Sequence, residues 1–430
     1  MSEGSDAVIP AGPPDAESDA AAAPDGDSSA APATAVTAAP PDVAASSRET
    51  RYPFSFTGRA ADYFRIWVVN TFLLIVTLGL YSPWAKVRKR QFFLRHTWAA
   101  DANFDFHANP WPILRGRLIA GLLFAAYWFW GNVNPKHAAW LGLALAAATP
   151  WLAVSSLRFN LGNTSYRNLR FRFSGGLRDS LGVFWPFVLF AGLTLLFPFE
   201  VDAEGWGREQ WKGLVPSLVL MLFYPWFVGA YRLMLLRRSG YGAANLGTTA
   251  RVRQIYAVYA RAGLLFLALA LPAAVANGLL VVLLKPRLSD PAAFTQWTTQ
   301  ILFLLNLLPW AAVAICAYAY TQSRLANVTL CASHLEVPPP ASAAAGQMIR
   351  LHSTLRMRTL LKLYVLNLLA IVGSVGFAMP WAAVRSARVR AESMALLSDA
   401  PLDTVLAQDG LAGAAAADAA SEFFSLDVAL

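Results

Sequence analysis

Long uncharged runs of hydrophobic residues dominate the pattern of this chain. A helix needs about 20 such residues to cross the hydrocarbon core of a bilayer. Eight windows meet this requirement, at 63–82, 113–131, 137–156, 181–199, 214–236, 262–284, 298–320 and 360–382. None has an acidic or basic residue in its central part, which argues against a proton relay or an ion pump. The pattern therefore predicts an all-α polytopic membrane protein with about eight transmembrane helices.

Shorter segments outside these windows have a different period. Phenylalanine occupies alternate positions at 54–56, 104–106 and 171–173, and a period of two is typical of β-strands. These segments are predicted to be short β-like elements on the cytoplasmic face. They either pair into a small sheet or form separate hairpins packed against the headgroups.

The first and last windows resemble each other at a constant offset of 297 residues, which predicts internal repeats. The aligned pairs are Asn70 with Asn367, Gly79 with Gly376, Pro83 with Pro380 and Trp84 with Trp381. Pro-Trp also occurs at positions 150, 225 and 309. Because proline removes a backbone donor and tryptophan favours the headgroup level, the main interpretation is an anchor at a helix end.

The alternative is that the paired segments are broken helices whose backbone lines a cavity, as in some transporters. The candidate pathway residues are then the eight aligned ones, Asn70, Gly79, Pro83, Trp84, Asn367, Gly376, Pro380 and Trp381.

Composition supports the membrane assignment and divides the chain into three parts. Of the 430 residues, 56% are hydrophobic and 14% are charged, against about 25% charged in an ordinary soluble domain. Residues 1–50 and 391–430 carry nine and seven acids with only one base, Arg48, and are predicted to be disordered acidic tails. The intervening 51–390, the predicted multi-pass membrane domain, has a net charge of +24.

The loops after windows 1, 3, 5 and 7 hold most of the basic residues, so we expect them to be cytoplasmic. Windows 1 and 8 have basic residues on both sides, which leaves two topologies open. We expect eight full spans; the other topology has re-entrant ends and six spans between them.

Basic residues at span ends also suggest a partner. Each can gain about 1 kcal/mol near anionic lipid. The candidate lipid headgroup residues are Lys86, Arg88, Lys89, Arg90 and Arg385. The predicted partners are the bilayer and its anionic headgroups, and no nucleic acid is expected although the net charge is +9.

Motifs for catalysis are missing from the sequence. It has no P-loop, G-x-S-x-G, H-E-x-x-H or C-x-x-C pattern. Two clusters contain metal-ligand residue types without the spacing of a known site: His96, Asp101, Asp105 and His107 in the first basic loop, and Cys331 with His334. We therefore expect no enzyme activity, no cofactor and no metal.

Several motifs carry a family resemblance. They are F-x-F-x-G at 54–58, T-L-G-L-Y-S-P-W-A-K-V-R-K-R at 77–90, I-L-R-G-R at 113–117 and L-R-F-R-F at 169–173. The chain resembles the YjgN-like family of bacterial inner-membrane proteins of unknown function. The resemblance implies a multi-pass inner-membrane location and no known substrate.

Two functions follow as expectations. The first is a small-solute transporter or channel-like protein built on the repeat. The second is a non-transporting membrane protein whose basic loops bind anionic lipid or an acidic partner.

Overall fold

The computed structural model describes residues 49–167, 169–197, 208–241, 244–288, 296–337 and 347–399. Most of the predicted acidic tails, residues 1–48 and 400–430, lies outside the described residues, whereas residues 391–399 of the second tail are described. The first and last strands, Thr50–Phe56 and Met394–Ser398, reach beyond the predicted domain limits of 51 and 390.

Ten antiparallel strands form one closed barrel. In chain order β1 to β10 are Thr50–Phe56, Thr97–Ala99, Ala102–Phe106, Thr164–Tyr166, Leu169–Phe173, Ser239–Tyr241, Ala244–Thr248, Ser333–Val337, Gln347–Ser353 and Met394–Ser398. Every strand pairs with its neighbours in the sequence, and β1 closes the ring by pairing with β10. Closure leaves no edge strand open to aggregation.

Helices connect the strands in pairs. In chain order α1 to α10 are Ala60–Val76, Ser82–Arg95, Pro110–Val133, Pro135–Gly162, Leu177–Leu196, Arg208–Arg238, Val252–Leu288, Gln296–Leu330, Met357–Gly373 and Met379–Glu392. The order strand, helix, helix, strand therefore occurs five times. We call these units modules 1 to 5, at residues 50–99, 102–166, 169–241, 244–337 and 347–398.

The barrel interior is filled by side chains. Each strand has at least one inward-facing residue that is at most 3% exposed. These residues include Phe54, Phe104, Tyr166, Phe171, Tyr241, Leu335, Ile349 and Leu396. The tyrosine hydroxyls are satisfied, because Tyr166 donates to the Ala99 carbonyl at 2.6 Å and Tyr241 to the Tyr166 carbonyl at 2.8 Å. The alternating phenylalanines of the sequence are thus the barrel core, a packed interior with no open lumen along these positions.

A recurring hydrogen bond closes each module. The backbone N–H just after the first strand donates to the carbonyl of the residue that directly precedes the second strand. The five pairs are Thr57 to His96, His107 to Asn163, Ser174 to Arg238, Thr249 to Ala332 and Thr354 to Ser393. This bond holds the two ends of each helical hairpin together at the barrel.

In four modules the residue six positions before the second strand donates a side-chain hydrogen bond to a backbone carbonyl of the neighbouring module. Arg158 donates to the Gly175 carbonyl, Asn327 to the Leu355 carbonyl and Gln91 to the Phe106 carbonyl. In the last module Arg388 donates to the Gly58 carbonyl at 3.0 Å, across 330 residues of sequence. The ring is therefore closed by helix contacts as well as by strand pairing.

The helical hairpins differ in length. The helices of modules 1 and 5 have 14 to 17 residues, and those of modules 2 to 4 have 20 to 37. Within the described chain, four helical segments are long and apolar enough to cross a membrane: Pro110–Val133, Trp140–Gly162, Leu214–Arg238 and Val252–Leu279. No residue of α3 is buried within the protein, as expected of a helix that faces lipid.

The prediction of an all-α protein with eight spans is wrong. Hydrophobic windows detect apolar length, but they do not detect strands of three to seven residues whose partners are distant in sequence. Windows 63–82 and 360–382 are not single helices either. α1 ends at Val76 and α9 at Gly373, and a second short helix returns from each to the barrel.

The prediction of Pro-Trp as an anchor at a helix end is also wrong. Pro83 and Pro380 lie in the first turn of α2 and α10, where a missing N–H costs little. Pro150, Pro225 and Pro309 lie inside helices.

The filled barrel leads to a stability prediction. Phe104 is 0% exposed, so Phe104→Ala is expected to lower the free energy of unfolding by about 3–5 kcal/mol, the usual effect of an aromatic-to-alanine cavity. The control Asn103→Ala changes the adjacent, outward position and should cost less than about 1 kcal/mol. Denaturant unfolding of both variants in detergent would measure this, and equal effects would contradict a packed interior.

Candidate anion-binding cavity

A cavity of about 650 Å³ lies where the helices of module 1 meet those of modules 2 and 3. Its polar lining comes from six elements. α1 supplies Asn70 and Thr71, α2 supplies Lys86, Lys89 and Arg90, α3 supplies Arg117, α4 supplies Ser156 and Asn160, β4 supplies Thr164 and α6 supplies Tyr231. The fold thus brings together residues up to 161 positions apart in the sequence.

Helical spacing places three cations on one side of α2. Lys86, Lys89 and Arg90 are three and four residues apart, so they share a face. α2 begins at Ser82 with Pro83 in its first turn, and Pro83 and Val87, which lie on the adjoining side of the helix, are buried against the protein. This orientation turns the three cationic side chains toward the cavity.

Arg90 is held in place by two contacts. Its Nη1 donates to Asn160 Oδ1 at 2.7 Å, and its guanidinium lies 5.4 Å from the centre of the Phe106 ring. Both contacts restrict the rotamers of a long side chain, so the charge is positioned before any ligand arrives. A preorganised cation of this kind suits an anion, because less ordering entropy is lost on binding.

The cavity is electropositive. Its lining includes four basic side chains and no carboxylate. Burial lowers the pKa of Lys89 to about 8. Burial also lowers the pKa of Lys86, and the positive charges of Arg90 and Arg117 lower it further. Neighbouring positive charges disfavour each other's protonated form, and a bound anion would offset this repulsion.

Asn70 adds an unused hydrogen-bonding group. Its side chain is 9% exposed, and its Oδ1 has no partner among the described residues. A buried amide oxygen without a partner is costly unless a ligand or water donates to it. A ligand with both an anionic group and a hydroxyl or amine donor therefore matches this lining.

The other predicted pathway residues are not gathered here. Asn367 donates to Ser386 Oγ at 3.0 Å and to the Ala382 carbonyl at 3.4 Å, inside module 5. Gly79 and Gly376 form the tips of the two short hairpins. Trp84 packs against Trp111, whereas Trp381 is exposed on α10. The aligned pairs occupy equivalent places in two modules, and of the asparagines only Asn70 lines this cavity.

The predicted headgroup residues separate into two groups. Lys86, Lys89 and Arg90 line the cavity. Arg88 and Arg385 instead lie over aromatic rings, 5.7 Å from the centre of Tyr81 and 5.1 Å from the centre of Trp381.

Two of the side chains considered for a metal, Asp105 and His107, are engaged with other partners. Arg95 Nε pairs with Asp105 Oδ1 at 2.7 Å, and His107 Nε2 lies 2.8 Å from Ser165 Oγ. Burial raises the pKa of Asp105, but hydrogen bonds from Arg95 and the Phe106 N–H lower it by more, so the net shift of this pKa is downward. Within the described ranges no group of three or more metal-ligand side chains occurs.

Sequence reasoning missed Asn160 and Tyr231 as cavity residues and used Arg117 only for topology. Each lies on a different helix, and a helical period gives no information about which neighbouring helix a residue approaches. The only signal in the sequence was the excess of basic residues in the first loop.

The fold and the cavity define a class: a membrane protein with bilayer-length helical hairpins on a closed strand ring and an anion-suited cavity beside the ring. The family described as a bacterial protein of unknown function (DUF898) matches residues 51–423. The chain belongs to this family.

Curated relatives share the name "Inner membrane protein YjgN". The chain is 26% identical to the protein of Escherichia coli O157:H7 over 176 residues, 40% of this chain and 43% of the relative. It is 27% identical to that of Salmonella typhimurium over 124 residues, 29% of this chain and 31% of the relative. The matched part spans less than half the length of these relatives. No solved structure matches the chain significantly.

The depressed pKa of Lys89 predicts a pH effect on stability. A lysine has a pKa near 10.4 in an unfolded chain and about 8 here, so the unfolded state binds more protons between these values. Stability from this group therefore rises with pH across that range. In Lys89→Met the increase in melting temperature between pH 7.5 and 10 should be smaller than in the wild type. An unchanged increase would contradict the burial of this amine.

Proposed function

We propose that the protein is a multi-pass protein of the bacterial inner membrane that binds the phosphate headgroup of an anionic phospholipid in the cavity beside its barrel. The relatives named as inner membrane proteins support the location. The observation that carries the function is the cavity itself, where four basic side chains and the unpartnered amide oxygen of Asn70 converge without a carboxylate.

The proposed topology places the barrel on the cytoplasmic side and sends the three long hairpins of modules 2 to 4 across the bilayer. Each of these three hairpins contains at least one candidate span: α3 and α4 in module 2, α6 in module 3 and α7 in module 4. A helix of 20 residues is about 30 Å long, which equals the hydrocarbon thickness. Because each pair begins and ends at the barrel, every crossing helix has a returning partner.

We also propose that the five modules are internal repeats. In four of them the proline of Pro-Trp stands fourteen residues before the second strand, at Pro83, Pro150, Pro225 and Pro380. In module 4, Pro309 is ten residues farther from its strand. The recurring hydrogen bond from the end of the first strand supports the same relationship.

The position of the cavity favours a lipid over a transported solute. Side chains fill the barrel, so the barrel axis offers no route, and Asn367 belongs to a separate contact in module 5. The uncharged stretch 66–85 ends with the half-buried Trp84 and Ala85, and the cations of α2 begin at Lys86. Apolar residues, then tryptophan, then basic residues is the order found from the hydrocarbon to the headgroup level of a bilayer. A lipid phosphate can therefore reach the cations while its acyl chains stay among the helices.

Headgroup binding can be tested with dioctanoyl lipids added to the purified protein. Dioctanoyl phosphatidylglycerol should raise the melting temperature, whereas dioctanoyl phosphatidylcholine should not. The double variant Lys86→Gln/Lys89→Gln should weaken binding at least tenfold, since each charge near a lipid surface contributes about 1 kcal/mol. The control Arg88→Gln removes a charge from the same helix outside the cavity and should bind within twofold of the wild type.

Inorganic phosphate distinguishes the source of the anion. If phosphate alone produces the full shift at lower concentration than the lipid, the site takes a free anion and the lipid assignment is wrong. Absence of any shift with either probe, or an equal loss in Arg88→Gln, would contradict the cavity as the binding site.

Binding should also depend on pH through Lys89. Its amine is protonated below its pKa of about 8, and only the protonated form attracts an anion, so affinity for dioctanoyl phosphatidylglycerol should fall as the pH rises from 7 to 9. Lys89→Arg keeps the charge throughout this range and should flatten the profile while preserving affinity at pH 7. A profile that stays steep in Lys89→Arg would assign the effect to another group.

A further inference from the structure

We infer that the α1–α2 and α9–α10 hairpins enter one leaflet of the bilayer from the barrel side and return without crossing, so that their tips contact lipid acyl chains. The surface is defined by residues 72–80 and 369–377. This inference concerns the two short hairpins and goes beyond the proposed headgroup site.

The tips expose a contiguous group of large apolar side chains, whose contact with water is unfavourable. Leu78 is 94% exposed and Val375 88%. The flanking apolar residues are also mostly more than half exposed: Phe72, Ile75, Val76 and Leu80 in the first hairpin, and Leu369, Val372 and Phe377 in the second. An exposed apolar surface shared by two neighbouring hairpins indicates an apolar partner.

Length decides how far the hairpins reach. No charged residue occurs between Arg65 and Lys86, or between Lys362 and Arg385. The uncharged part of α1 and its C-cap runs from residue 66 to 77, about 18 Å of helix at 1.5 Å per residue. This distance is close to the thickness of one leaflet of hydrocarbon, about 15 Å, and falls well short of the full 30 Å.

The fold requires each hairpin to return. β1 and β2 pair in the barrel, as do β9 and β10, so both ends of each hairpin lie at the strand ring. The two hairpins also meet each other, with the Trp67 and Phe377 rings 6.5 Å apart. They therefore form one apolar unit at the point where the ring closes.

The backbone N–H groups of both turns are hydrogen-bonded within the chain. Leu78 and Gly79 have φ of 50° and 89°, and Val375 and Gly376 have φ of 51° and 92°. In this conformation the backbone N–H groups of residues 77–80 and 82 all donate to carbonyls within the turn, and the equivalent groups of 374–377 and 379 do the same. The next residue in each is a proline, which has no N–H.

A hydroxyl satisfies the one remaining donor in each turn. The Tyr81 N–H donates to Thr77 Oγ1 at 3.0 Å, and the Ala378 N–H donates to Ser374 Oγ at 2.8 Å. All backbone donors of both turns are thus paired within the chain, which is the requirement for backbone at hydrocarbon depth. A solvent-exposed turn would have no need of such complete pairing, because water would serve these donors.

Cysteine labelling separates the possible locations. In full-length protein with Cys316 and Cys331 replaced by alanine, single cysteines are placed as Leu78→Cys and Val375→Cys at the short tips. Val133→Cys, at the end of α3 in a long hairpin, is the matched control. Intact spheroplasts are treated with a membrane-impermeant maleimide, inverted vesicles with the same reagent, and all samples are then denatured to measure total thiol.

We expect Val133→Cys to react in spheroplasts and the two short tips to react at least tenfold less from either side, with full reaction after denaturation. A bimane label at position 78 should be quenched by doxyl lipids and not by aqueous iodide. Labelling of the short tips in spheroplasts would show a full crossing, and labelling in inverted vesicles would place them in water; either result overturns the inference. Failure of Val133→Cys to react in spheroplasts would instead contradict the proposed topology of the long hairpins.

Discussion

Closure of ten short strands around a filled interior is the constraint on which the rest of this structure depends. Strands of three to seven residues have too few hydrogen bonds to persist alone, and they are stable here because each has two neighbours and the ring has no edge. Phe54, Phe104, Phe171 and their counterparts supply the apolar burial that drives closure. The last step joins β10 to β1, and the bonds from Arg388 to Gly58 and from Arg350 to Glu49 at 2.6 Å reinforce it.

Ring closure determines what the helices can do. Since both ends of every hairpin are fixed at the barrel, the proposed topology lets a hairpin either cross the bilayer twice or enter it and return, and its length decides which. Closure also brings the second helices of modules 1, 2 and 3 side by side, and this places Lys89, Asn160 and Tyr231 around one cavity. The cavity is therefore a product of the ring more than of any single helix.

Modules 1 and 5 show how one framework serves two purposes. At the offset of 297 residues, Lys86, Lys89 and Arg90 align with Ala383, Ser386 and Ala387. In module 5, Asn367 donates to Ser386 and is used structurally. In module 1 the position of Ser386 is taken by Lys89, which lines the cavity together with Asn70. The side-chain oxygens of Asn70 and Asn367 both lack a hydrogen-bond partner among the described residues, so the two modules differ here in their positive charges.

The sequence predicted the apolar segments and the short strands at 54–56, 104–106 and 171–173, because their periods are local. It did not predict the barrel, because strands such as Ser239–Tyr241 and Met394–Ser398 have little pattern of their own and acquire partners only through closure. The basic residues of α2 were recognised by charge alone. That Lys86, Lys89 and Arg90 face a cavity while Arg88 lies over Tyr81 depends on packing between helices, which a sequence period does not encode.

Binding of an anionic lipid headgroup in the cavity can be tested by photocrosslinking from inside it. A photoreactive amino acid at Thr71, which lines the cavity, would be irradiated in native membranes and the crosslinked lipid identified by mass spectrometry. We expect adducts with anionic phospholipid, at a yield that falls when Lys86 and Lys89 are replaced by glutamine. Crosslinks that follow bulk lipid composition and are insensitive to these charges would contradict it.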